Sequence, residues 1–158
     1  PQHTELFTGT IRENIARMGE GDFNDVVDAA TLVGIHDKII HLPDGYDTVI
    51  SGDSFGMSGS ERKRIALARA FYRRPRIIVL DEPSANLDSP SRRLMENAIA
   101  VLKKGGSSII ITQSIHAAQI ARMADRYLIL GGKRSHEVTE NTGTETLQRA
   151  KDHLRSVT

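Results

Sequence analysis

Two carboxylates at the end of an aliphatic run are the residues of this chain best placed to do chemistry. Ile77-Ile-Val-Leu-Asp-Glu82 has four aliphatic residues followed by Asp81 and Glu82. Four aliphatics bounded by charge predict a strand buried on both faces. Ligands of open α/β sheets bind at the carboxyl end of such a strand. An Asp there can hold Mg²⁺ through water, and a Glu beside it can orient an attacking water for phosphoryl transfer. Taken alone, the pair is equally a strand that meets solvent with two charges. A second candidate lies about twenty residues earlier. Ser58-Gly-Ser-Glu61 is a capping box, and a capped helix start that contains glycine offers N–H groups and a dipole to an anion. The same four residues also fit an ordinary N-cap, and the two roles are compatible.

The elements that must position these groups alternate along the chain. Thr10-Ile-Arg-Glu13 predicts a capping box opening a short helix, with Gly19 and Gly21 closing it. Asp22 caps a second helix whose apolar face is Val26, Val27, Ala30 and Val33, before Gly34. Pro43-Asp-Gly45 marks a loop, and residues 51–60 are rich in Gly and Ser. The Ser58 helix runs to about Tyr72, since Pro75 forbids continuation. Ser89-Pro90 begins another helix with the stripe Leu94, Ala98, Ile99 and Leu102, ended by Gly105-Gly106. Ile109–Ile111 is the next strand, a helix is expected from about Ile115 to Ala124, and Tyr127–Leu130 is a third strand. Strand, helix, strand, helix, strand predicts a parallel sheet covered by helices, an α/β fold. The tail from Ser135 is polar, with a closing helix expected from Thr144.

Composition narrows the function classes. The chain has 158 residues, 39% hydrophobic and 26% charged, which fits one modest globular domain. The absence of cysteine rules out disulfides, thiol catalysis and thiolate metal sites within it. A net charge of +1 gives no electrostatic pull toward nucleic acid or anionic membrane. The cations Arg62, Lys63, Arg64, Arg69, Arg73, Arg74 and Arg76 spread over several helix faces without aromatic residues between them to stack bases, so no nucleic acid is expected. His3, His36, His41, His136 and His153 show no metal-ligand spacing and read as surface residues. Both the longest apolar runs are strand-sized, far short of a spanning helix.

Order supplies what the isolated motifs lack. Met57-Ser-Gly-Ser-Glu-Arg-Lys-Arg-Ile-Ala-Leu-Ala-Arg-Ala70 precedes the carboxylates, and Pro83-Ser-Ala-Asn-Leu-Asp88 follows them directly. This set resembles the ATP-binding domain of ABC transporters, with a signature loop, a Walker B strand with its catalytic Glu, and a D-loop. Pro1-Gln2 with Leu6-Phe7-Thr-Gly-Thr-Ile-Arg-Glu-Asn-Ile15, and Leu42-Pro-Asp-Gly-Tyr-Asp-Thr-Val-Ile50, resemble the exporter branch, nearest to type I secretion ATPases of the protease-exporter kind. The resemblance runs from residue 1 to about 134. It implies a partial ABC-ATPase domain in three parts: a Q-loop and helical subdomain with the signature helix over 1–75, the Walker B, D-loop and switch region over 76–134, and a tail over 135–158.

Residue roles follow from the resemblance. Gln2 would be the Q-loop glutamine, meeting Mg²⁺ and the attacking water. Asp81 would support Mg²⁺, Glu82 would be the catalytic carboxylate, and Asp88 would sit in the D-loop at a dimer interface. Ser58 and Gly59, with Ser60 and Glu61, would face the γ-phosphate of ATP bound by the opposite subunit. The implied cofactors are ATP and Mg²⁺. The implied partners are a second ATP-binding domain and a transmembrane domain, at the cytoplasmic face of the inner membrane.

Three departures from the family pattern bear on activity. The P-loop pattern G-x-x-x-x-G-K-[ST] occurs nowhere in the sequence. Pro1 and the match to the Q-loop lead to the expectation of a second half of an ATPase domain, one that leaves an open sheet edge and an uncovered apolar face. The signature has Met57 for Leu, Ser60 for Gly and Glu61 for Gln. Glu61 sets a negative charge on a turn that should greet an anion, a repulsion of roughly 2–3 kcal/mol at about 6 Å and an effective dielectric near 20. A Glu61 that bonds back to the Ser58 N–H would be partly satisfied instead. The switch position holds Gln113 where the family has histidine, and Gln cannot take up a proton near neutral pH. His116, three residues on, is a shifted candidate, although an exposed helix histidine is the simpler reading. Two functions therefore stand: the ATP-hydrolysing segment of an exporter, or a non-catalytic, degenerate partner giving only signature and D-loop contacts.

Overall fold

In the computed structural model the described residues are 6–51, 56–85, 87–112, 123–128 and 138–140. They belong to two units, Pro1–Ile111 and Thr112–Thr158. The first begins with β1 (Gly9–Thr10), α1 (Ile11–Ile15), α2 (Phe23–Leu32), α3 (His36–Ile40), a 3-10 turn (Gly45–Asp47) and β2 (Val49–Ile50). Next come α4 (Gly59–Phe71), β3 (Ile77–Asp81), α5 (Ser89–Lys104) and β4 (Ser108–Thr112).

Helix α1 starts as its capping box predicts. The Thr10 hydroxyl accepts from the Glu13 N–H at 3.0 Å, and the Glu13 carboxylate accepts from the Thr10 N–H at 2.7 Å. Its end differs from expectation. The helix stops at Ala16, and the left-handed residues are Arg17 and Met18, with φ of 60° and 61°, rather than Gly19 or Gly21. The Arg17 guanidinium donates to the carbonyls of Arg69, Ala70 and Tyr72, the end of α4, where a cation also meets the negative pole of that helix. This long-range anchoring offsets a conformation that glycine would otherwise be needed for. Gly21 serves another purpose: a Cβ there would lie 2.0 Å from the Tyr72 hydroxyl oxygen.

Helices α1, α2 and α4 pack on one another. Ile11, Ile15, Val26, Ala30, Ile35, Ile39, Ile65 and Ala68 are completely buried, and Phe71 nearly so. Asp22 caps α2 as expected, accepting from Asn24 N–H at 2.8 Å. Val26, Ala30 and Val33 are buried, whereas Val27 is only half-buried and Ala29 completes the face. Asn14 is a fully buried amide whose three bonds, two to Phe7 and one to the Thr10 carbonyl, pin the incoming segment to α1. Helix α3 and the antiparallel pair β1–β2 have no counterpart in the sequence reading. Both strands have two residues and α3 has five, too short for any periodicity to register.

Strands β3 and β4 pair, and the Ser108 N–H donates to the Arg76 carbonyl at 2.7 Å. Both strands thus begin side by side and run parallel, which with the surrounding helices makes this an α/β fold. The strand predicted as buried on both faces is covered on one. Ile78 and Leu80 are buried, while Ile77 and Val79 are 67% and 64% exposed, and Ile110 on β4 is also exposed. An all-aliphatic run does not itself specify how many faces find cover. Helix α5 follows its reading closely: Ala98, Ile99 and Leu102 are buried, joined by Met95, while Leu94 is half-buried. Gly105 caps its end and Gly106 takes φ of 91°.

The second unit contains β5 (Arg126–Leu128) paired antiparallel with β6 (Val138–Glu140). The expected third strand is therefore present near Tyr127, and it pairs antiparallel with a strand from the polar tail. The expected helices from Ile115 and from Thr144 lie outside the described residues. No helix among the described residues is long and apolar enough to cross a membrane.

Candidate nucleotide-facing site

The Ser58 turn is built by local sequence. Ser58 has extended backbone (φ −64°, ψ 159°), and its hydroxyl accepts from the Glu61 N–H at 3.2 Å. The Glu61 carboxylate accepts from the Ser58 N–H at 2.8 Å and from its hydroxyl at 3.1 Å, completing the capping box. Ser60 Oγ lies 3.0 Å from Ser58 Oγ. Met57 is buried ahead of the turn, while Ser58 and Gly59 are exposed. Space beside Gly59 is open, with nothing within 4 Å of where a Cβ would stand, so an anion has room to approach the backbone. The first N–H groups of a helix have no acceptor within it.

The negative charge of Glu61 is met in three ways. Burial pushes its carboxyl up, but the Ser58 N–H and hydroxyl, together with Lys38, outweigh that and hold it below the usual carboxylate range. Lys38 of α3 stands 3.5 Å away. Glu61 is thus occupied with its own helix start and a neighbouring cation. Lys38 escapes sequence reasoning because α3 does, and nothing in its own surroundings marks it.

Asp81 ends β3 and Glu82 follows it, both exposed. Glu82 takes φ of 39°, a left-handed conformation unusual for a residue with a Cβ. The chain then turns tightly, with Ala85 N–H donating to the Glu82 carbonyl at 3.0 Å and Leu87 N–H to that of Ser84 at 3.3 Å. Asp88 caps α5 by accepting from Ser91 N–H at 2.9 Å. The Ser91 hydroxyl, then the Ser91 N–H and more weakly the Arg64 charge, keep its carboxyl below the ordinary range against a small opposing effect of burial.

Four cations of α4 and the residues just after it have identifiable tasks. Lys63 Nζ donates to the Ala85 carbonyl at 2.5 Å, and Arg64 donates to the Gly34 carbonyl at 2.9 Å. Arg69 lies over the Phe7 ring at 4.6 Å, and Arg73 pairs with Asp25 at 2.7 Å. Their spacing in sequence looks like a basic run, but each serves a separate contact. The histidines also divide on inspection. His41 is exposed, as expected, while His36 is half-buried with Nδ1 2.9 Å from the Tyr46 hydroxyl. The surface reading of His36 fails because α3 folds it against Tyr46, whose own burial raises its hydroxyl to about 12.

The described residues thus bring Ser58, Gly59, Ser60 and Glu61 into one turn, Asp81 and Glu82 to one strand end, and Asp88 to the start of α5. Gln2, Gln113 and His116 lie outside the described residues. Among the described residues no group of three His, Cys, Asp or Glu side chains could hold a metal ion. A Mg²⁺ at Asp81 would accordingly take most of its oxygens from phosphate and water, its usual manner with nucleotides. The open backbone at Gly59 and the exposed Asp81 fit a nucleotide and its ion.

The sequence profile described as ABC transporter matches residues 1–85, more than half of the chain. The chain belongs to this family. It is 38% identical over 147 residues to the cyclolysin secretion/processing ATP-binding protein of Bordetella pertussis, covering 92% of this chain and 20% of that protein. It is 41% identical over 112 residues to a type I secretion system ATP-binding protein of Rhizobium meliloti, covering 70% of this chain and 19% of that protein. It is 37% identical over 147 residues to an ATP-dependent lipid A-core flippase of Syntrophus aciditrophicus, covering 92% and 24% respectively. The chain spans about a fifth to a quarter of the length of these relatives.

Proposed function

We propose that this chain forms part of the ATP-binding and ATP-hydrolysing machinery of an ABC exporter, coupling hydrolysis to transport in type I protein secretion. The observation that carries this reading is that one compact unit holds both an anion-ready helix start at Ser58–Glu61 and an exposed Asp81–Glu82 pair. Glu82 orients the attacking water, Asp81 supports Mg²⁺, and Asp88 and Gln2 complete the surroundings. Gln113, with His116 as the alternative, stands at the switch. Ser58 and the N–H groups of Gly59 and Ser60 meet the γ-phosphate held by a second ATP-binding domain, beneath a transmembrane domain at the cytoplasmic face of the membrane. ATP with Mg²⁺ supplies the phosphoryl group and its charge neutralisation.

The capping role of Glu61 supports this reading, because a carboxylate held by Ser58 and Lys38 opposes an incoming phosphate less than a free one. The test is Glu82→Gln in the intact protein. ATP turnover is expected to fall by about 10²-fold or more, the usual worth of a positioned proton acceptor, with ATP binding retained. Unchanged turnover would favour the second reading, a passive partner that contributes only its signature and D-loop. The three altered positions Met57, Ser60 and Glu61 are what that reading has in its favour.

A further inference from the structure

The turn carrying Glu82 is held from outside itself. Glu82 sits in a left-handed conformation at φ 39°, which persists only where surrounding contacts determine it. Its carbonyl accepts from Ala85 N–H, so the position of residue 85 fixes the plane of the peptide that follows Glu82. The carbonyl of that same Ala85 accepts from Lys63 Nζ, 22 residues earlier in the chain and in the second turn of α4. Burial draws the Lys63 ammonium below the ordinary lysine range and the Glu82 carboxylate pulls it back up, so the two charges feel each other. Arg64, the next residue, donates to Gly34 and adds a favourable charge toward Asp88 at the far end of the same turn. The helix that begins with the Ser58 turn therefore also grips the segment that presents Glu82.

We propose that Lys63 is a positioning residue for Glu82, fixing the turn over 82–85 through the Ala85 carbonyl and so linking the Ser58 helix to the carboxylate. The proposal rests on the reading of Glu82 as the carboxylate that orients water. In this role Lys63 acts through the backbone, at the Ala85 carbonyl. Since displacements of about an ångström at a reacting group cost up to 10²-fold in rate, loss of this tie should lower turnover rather than nucleotide affinity.

The experiment uses the intact protein and compares Lys63→Met, Lys63→Arg and Glu82→Gln. Lys63→Met is expected to lower kcat for ATP hydrolysis by about tenfold with KM for ATP within about twofold. Lys63→Arg, which keeps a charged donor at the end of a long stem, is expected to recover most of that loss. A Lys63→Met protein with unchanged kcat, alongside a Glu82→Gln protein that has lost turnover, overturns the role of Lys63 and leaves Glu82 in place. A fall in melting temperature that accompanies the lost kcat and is not repaired by Arg also overturns it, since Lys63 would then merely hold the fold. Full turnover in Glu82→Gln removes the underlying reading and this proposal with it.

Discussion

The helical cluster of α1, α2 and α4 and the strand pair β3–β4 use the same aliphatic residues to different ends. In the cluster Ile11, Ile15, Val26 and Ile65 have no exposed surface at all. On β3, Ile78 and Leu80 are buried while Ile77 and Val79 on the opposite face stand in solvent. Hydrophobic stabilisation follows area removed from water, not residue type. Those four residues of the cluster are therefore buried on every side, whereas β3 carries Asp81 with one apolar face in solvent.

Substitutions can break this comparison. Phe71→Ala, at the end of α4 and 1% exposed, is expected to destabilise the chain by about 3–5 kcal/mol, since the vacated volume has little freedom to collapse. Chemical denaturation followed by circular dichroism measures it. A loss below about 1 kcal/mol would mean the cluster is not the stabilising region.

Acid titration sharpens it next. The Glu61 carboxyl is held below the usual range in the folded chain, so its contribution is present above the unfolded value and lost as pH falls through the folded one. Glu61→Gln keeps the hydrogen bonds of a capping box and removes the titration. The denaturation midpoint of the variant is therefore expected to depend less on pH than that of the unaltered chain between about pH 5 and 3. Identical slopes would show that Glu61 is as relaxed in the fold as outside it.

The smallest effect belongs to the open face of β3. Ile77→Thr keeps a β-branched side chain in the strand and is expected to change stability by no more than about 0.5 kcal/mol, as exposed positions do. A loss of 2 kcal/mol or more, on the scale of a buried side chain, would mean that something covers this face in solution, and the contrast with the cluster would disappear.

Much of this arrangement is legible in the residues themselves. The capping boxes at Thr10 and Ser58, the Asp22 cap and the stripe on α5 are readable because each depends on groups within a few positions of one another. The Ser58 turn and the carboxylate pair are legible for the same reason. Other features were not. Arg17 takes a glycine-like conformation because three carbonyls some fifty residues later accept its guanidinium. Lys38 finds Glu61, and Lys63 finds Ala85, only once distant helices have docked. His36 turns from surface residue to partner of Tyr46 by the packing of a five-residue helix that has no period to detect.

By itself, then, the sequence determined the family and the starts of α1, α2, α4 and α5, since local hydrogen bonding and short-range spacing suffice for them. Tertiary structure alone decided which face of β3 is covered, which cation answers which carboxylate, and which carbonyl Lys63 reaches. Those outcomes depend on distances between residues far apart in the chain, and such distances exist only after the helices have packed.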